Sequence, residues 1–132
     1  MICRLVAGVA LLAALTLPVT AGQQTDLPDA MLGTWAPDAS ACVDKQGEIN
    51  DARVAVSADS VEYFASIWSG IAWQLQADGY SGLAQISEEG EGEPEPERLK
   101  ITLRLLPDGL LEINRGGDPD VYVKCAHDVP VR

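Results

Sequence analysis

Two cysteines set the outer limits of any fold open to this chain. Cys42 ends the stretch Met31-Leu-Gly-Thr-Trp-Ala-Pro-Asp-Ala-Ser-Ala-Cys42, and Cys125 stands seven residues from the C-terminus. The third cysteine, Cys3, lies in a leader expected to be removed. Two cysteines in an exported chain read as one disulfide with a single connectivity. Closing a loop of about 84 residues stabilises a domain by up to about 4.5 kcal/mol in the chain-entropy model. That is a large share of a total of about 5–15 kcal/mol, so the bond is expected to be structural. No Cys-x-x-Cys spacing offers a redox role. Bridging Cys42 to Cys125 needs Cα atoms within about 7 Å, which a closed meander permits because its first and last strands are neighbours.

The export reading rests on residues 1–21. Arg4 gives a short basic start, Leu5 to Leu17 is uncharged and mostly apolar, Pro18 breaks the run, and Val19-Thr-Ala21 supplies small residues for cleavage. Thirteen apolar-region residues fall short of the ~20 that span a bilayer, so no membrane span is expected after processing. Removal leaves 111 of the 132 residues, one domain's worth. Nine basic and 20 acidic residues give a net charge of −11, and loss of Arg4 takes it to −12. Such a charge repels nucleic acid, which binds through cationic footprints. The expected location is the periplasm or the extracellular space, and the expected state a monomer.

Gly22 to Pro28 has no periodicity and reads as a mobile lead-in, with the β domain running from residue 30 to 132. Ala30 to Trp35 is the first predicted strand, ended by Pro37-Asp38, and Ala39 to Ala52 is an unpatterned loop. Period-two alternation then dominates. Val54 and Val56 share a face; Val61, Tyr63, Ala65 and Ile67 share the next; Ile71, Trp73 and Leu75 follow. Asp78-Gly79 predicts a tight hairpin joining Gln74–Ala77 to Tyr80–Leu83. Glu88 to Glu97 holds six glutamates with glycine and proline, and reads as an exposed loop without a cation site. Leu99, Ile101, Leu103 and Leu105 alternate with Lys100, Thr102 and Arg104. Leu111 and Ile113 share a face, and Val121, Val123 and Cys125 are taken as the inward side of the last strand. The tail from His127 to Arg132 reads as frayed. About eight short strands with regular turns and no helix predict an all-β fold, a small antiparallel up-and-down barrel or sandwich closed by one disulfide.

At Gly33-Thr-Trp35 the chain resembles the calycins, the lipocalin-type barrels whose first strand opens with Gly-x-Trp. The resemblance implies a tryptophan that closes the barrel base beneath an arginine or lysine of the last strand. Lys124 is the matching position, with Arg115 second. Bacterial metalloprotease inhibitors of this barrel type begin the same way, but their disulfide spans a short segment. The chain is also similar to small exported bacterial proteins of unassigned function. These share Gly-x-Trp-Ala followed by cysteine, a Gly-Glu-Gly-Glu-like middle and a terminal Tyr-x-x-Cys. Here the matching segments are Gly33 to Ala36, Cys42, Glu89 to Glu93 and Tyr122 to Cys125. Relatives in that group often carry a second, internal disulfide, for which this chain has no cysteines.

Catalytic devices are scarce. The sole histidine, His127, lies beyond the last strand, and phosphate-cradling glycine motifs are absent. One histidine and two bridged cysteines do not make a zinc set, and the carboxylate pairs Glu91/Glu93 and Asp118/Asp120 lack calcium-loop spacing. No cofactor, metal or catalytic residue is expected. Trp35, Phe64, Trp68, Trp73 and Lys124 are the candidate ligand-binding residues. Strict alternation puts Phe64 and Trp68 outside as a contact surface, whereas a bulge at Ser66 returns Trp68 to the core. The function expected is a non-enzymatic envelope barrel binding a small or cationic ligand. The alternative is a module for a protein partner, of the protease-inhibitor kind. An open apolar interior favours the first, a solid core with an exposed aromatic patch favours the second, and two carboxylates facing each other in a cleft would reopen an enzyme reading.

Overall fold

The computed structural model describes residues 23–45, 48, 50–89 and 98–131. The leader and the glutamate-rich run over residues 90–97 lie outside these. Among the described residues nine strands follow in order: β1 (Gly33–Ala36), β2 (Val54–Val56), β3 (Val61–Glu62), β4 (Ser66–Ser69), β5 (Gln74–Gln76), β6 (Gly79–Glu88), β7 (Arg98–Leu105), β8 (Leu111–Asn114) and β9 (Asp120–Lys124). Each pairs antiparallel with its neighbours, and β9 returns to β1. Both β4 and β5 pair with β6, at opposite ends of it. The closed ring is therefore an eight-stranded antiparallel barrel, with β5 a continuation of β4 beyond a break. Gly70, at φ +65°, makes that break.

Register assigns the two faces, because directly paired residues point the same way. Trp35 pairs with Val54 and Lys124; Val56 with Val61; Val61 with Trp68; Trp68 with Ile86. Across the other side Gly82 pairs with Ile101, Leu103 with Ile113, and Leu111 with Tyr122. Lys124 and Gly82 apart, these side chains, joined by Leu27, Met31, Ile71, Trp73 and Ala84, form one buried cluster inside the barrel. Before β1 a 3₁₀ turn, Asp29–Met31, brings Met31 under one mouth.

Several expectations change. Val61 to Ile67 is not one strand: the chain turns at Tyr63–Ala65, with the Tyr63 N–H donating to the Ser66 carbonyl at 2.8 Å. That turn restores Trp68 to the core at 6 % exposure and leaves Ile67 facing out opposite Glu62. On β9 the inward residues are Tyr122 and Lys124, while Val121, Val123 and Cys125 face outward, in register with Glu112, Ala36 and the Thr34 carbonyl. The hairpin before β6 is present, but its two-residue loop is Ala77-Asp78, because Gly79 pairs with Gln76. Gly79 is needed for another reason. A Cβ there would lie 2.3 Å from the Leu103 carbonyl oxygen, closer than atoms can approach. The described part of the lead-in lies against the barrel: Gln24 bridges Gln74, the Thr25 N–H bonds the Trp73 carbonyl at 2.8 Å, and Leu27 is buried.

The disulfide belongs to a second, smaller core on the outside of the barrel. The loop after β1 folds back over the wall through a 3₁₀ turn, Ala39–Cys42, capped by Asp38, whose carboxylate accepts from the Ala41 N–H at 3.1 Å. Ala36, Ala41 and Cys125 pack there with Cys42 and Val129. Cys42 and Cys125 are bonded, with Cα atoms 5.5 Å apart. The tail is held, not frayed: the Val129 N–H donates to Thr34 Oγ1 at 3.3 Å, and Val131 is buried. Arg53 locks the two segments together from beneath. It is fully buried, donates to the Ala41 carbonyl at 2.6 Å and the Pro130 carbonyl at 3.0 Å, and pairs with Asp44 at 2.6 Å.

Candidate functional site

Three of the five candidate ligand-binding residues are structural. Trp35 is fully buried and its indole N–H donates to the Met31 carbonyl at 3.0 Å. Trp73 is 1 % exposed and donates to the Ala58 carbonyl at 3.1 Å. Buried indoles with satisfied N–H groups have no donor left for a ligand. With Trp68 and Tyr122 they belong to the buried apolar cluster inside the barrel.

The two mouths carry cations over aromatic rings. Lys124, the inward residue at the end of β9, places Nζ 5.5 Å from the Trp35 ring and donates to the Ala30 carbonyl at 3.3 Å. Its stem covers the indole while its charge stays in water. At the opposite mouth Arg115 lies 4.1 Å from the Tyr63 ring centroid and 5.7 Å from that of Trp68. Burial pushes the Tyr63 phenol well above its ordinary pKa, with Arg115 opposing the shift, and burial raises Tyr122 as well. Phe64 stands beside this mouth on the Tyr63–Ala65 turn, 41 % exposed, and does not share a surface with Trp68.

Concavity and charge coincide elsewhere, on the outer wall of β5, β6 and β7. A groove of about 480 Å³ runs there between Gln74 and Gln76 on β5, Ser81 and Leu83 on β6, and Arg98 and Lys100 on β7. Register explains the grouping: Gln74 faces Ser81, Leu83 faces Lys100 and Gln85 faces Arg98. Leu83 is 53 % exposed on this face. Arg98 donates to the Gly70 carbonyl at 3.4 Å. Arg104, two positions past Thr102, is paired with Glu112 of β8 at 3.0 Å. The alternation of β7 puts Lys100 and Arg104 on one face in the sequence, but the glutamines and Leu83 join them only through strand register.

A second groove, also about 480 Å³, lies between β1, β2 and the tail, and its lining includes apolar Leu32, Val56 and Val131 together with Glu62 and Asp128. Among the described residues no three His, Cys, Asp or Glu side chains come together as a metal site. No described helix is long and apolar enough to cross a membrane. Comparison of the chain with models of known families, with curated proteins and with solved structures returned no match.

Proposed function

We propose that this protein is a non-enzymatic binding module of the cell envelope, periplasmic or extracellular, that meets a protein partner with the outside of its barrel. The buried interior carries this reading: Trp35, Trp68, Trp73 and Tyr122 pack into one apolar cluster where a carrier would keep space for its ligand. The bonded Cys42–Cys125 pair suits an oxidising compartment. Gly33-Thr-Trp35 with Lys124 over the tryptophan supports the calycin-like architecture. The groove at Glu62 and Asp128 favours a second reading, a small cationic ligand held on the β1–β2 wall. In-cell photocrosslinking from position 83, with native mass spectrometry of the exported protein, tests the choice. A discrete protein adduct and an unliganded native mass are expected. A retained small molecule with no adduct contradicts the partner reading.

A further inference from the structure

We infer that the groove over β5–β7 docks a short acidic segment of a protein partner; the inference rests on the outer-wall reading above. Charge placement is the first reason. The chain carries a net charge of −11, yet the outward positions of β5, β6 and β7 hold Arg98, Lys100 and Arg104 and no carboxylate. Arg104 is neutralised by Glu112, so Arg98 and Lys100 are the two cations of this face without a carboxylate partner among the described residues. Opposite charge presented on a complementary strip speeds encounter and selects the partner.

The second reason is extent. From Arg98 to Arg104 the strip runs six residue steps along one strand, about 20 Å at about 3.4 Å per residue. A membrane surface or a nucleic acid carries negative charge far past such a strip, onto the acidic remainder of this protein. That remainder repels them wherever they come within a screening length of ~8 Å. A short segment keeps most of its carboxylates on the strip, although Glu97 adjoins Arg98 in sequence and repels the segment at that end.

Spacing and composition give the third reason. Arg98 and Lys100 are two residues apart on one face, and an extended peptide sets alternate side chains at the same interval. Carboxylates at alternate positions therefore meet the two cations together. Leu83, directly opposite Lys100 and half exposed, adds an apolar contact between them. Gln74, Gln76 and Ser81 offer side-chain donors and acceptors to the peptide's backbone groups.

The probe is a synthetic, fluorescently labelled peptide with glutamate at alternate positions and serine or leucine between, followed by anisotropy. Saturable binding is expected, weakening as ionic strength rises. The Arg98→Glu/Lys100→Glu double variant should weaken it by roughly tenfold or more, and Lys45→Glu, an exposed cation on the far loop, should not. Melting curves establish that the variants fold, and Lys100→Gln serves if the double reversal does not. No saturable binding, an equal loss in Lys45→Glu, or equal binding of phosphatidylglycerol vesicles or single-stranded DNA overturns the inference. A protein crosslinked at position 83 together with reversal-insensitive peptide binding removes the acidic occupant and leaves the outer-wall reading; loss of both removes both.

Discussion

Arg53 takes a full charge into a place without water, and three acceptors on two distant segments meet it there: the Ala41 carbonyl, the Pro130 carbonyl and Asp44. Nothing in the sequence announces this, because a lone arginine at the end of an unpatterned loop looks solvated until residues 12 and 77 positions away converge on it. Arg53→Ala should cost about 3 kcal/mol, since it leaves buried carbonyls unpaired. Arg53→Lys should recover little, because one ammonium cannot span the fork of contacts. A lysine variant with the parent urea midpoint would contradict this geometry. Gly79 gives a second case. Gly79→Ala should destabilise by about 1–3 kcal/mol through contact with the β7 backbone, an overpacking cost read from the same midpoint. Tyr63 gives a third. Its folded pKa is raised, so the stability it lends is complete below the ordinary value near 10 and is lost as pH rises toward the folded value. Tyr63→Phe should move alkaline unfolding to higher pH relative to its neutral stability, and an unmoved midpoint would show that the phenol's burial is not what limits the fold there.

At the scale of elements, alternation exposes a strand wherever one face is apolar and the other is not. Val54 with Val56, Ile101 with Leu103, and Leu111 with Ile113 all face inward as the period-two pattern implies. The pattern fails where both faces are apolar or where no breaker marks a turn. Val61-Glu-Tyr-Phe-Ala-Ser-Ile-Trp68 contains no glycine or proline, so its reversal at Tyr63–Ala65 is invisible until pairing with β6 fixes Trp68 opposite Ile86. On β9, Val121 and Val123 look more buried than Tyr122 and Lys124. Lys124 points inward nonetheless, because it sits at a mouth where its ammonium reaches water past Trp35. The disulfide was legible from cysteine count; its place on the outer wall was not, since that depends on the loop after β1 folding back. Reduction should therefore loosen the segment after β1 around Cys42 and the 125–131 tail first, lowering the unfolding free energy by up to about 4.5 kcal/mol while far-UV dichroism keeps its β signature. Loss of all β structure on reduction would mean that the bond holds the barrel itself.

At the scale of the whole molecule, the described residues form a closed barrel around a buried apolar cluster, with Lys124 and Arg115 at opposite mouths and Arg98, Lys100 and Arg104 along one outer strip. Of the candidate ligand-binding residues, Trp35, Trp68 and Trp73 belong to that buried cluster, and Phe64 and Lys124 sit at opposite mouths. Tryptophan in sequence marks a large buried surface as readily as a ligand contact, and only register separates the two. The basic outer face needed register too, since Leu83, Lys100 and the β5 glutamines come from three strands. The packed interior is the premise from which binding on the outer wall follows. Hydrogen exchange of the indole N–H groups, followed by NMR, tests it most directly. The Trp35 and Trp73 indole protons, donated to Met31 and Ala58, are expected to exchange only with global unfolding, with a protection free energy equal to that from denaturant. Exchange of either at the rate of a free indole under native conditions would mean that water reaches the barrel axis, and a carrier would be the better reading.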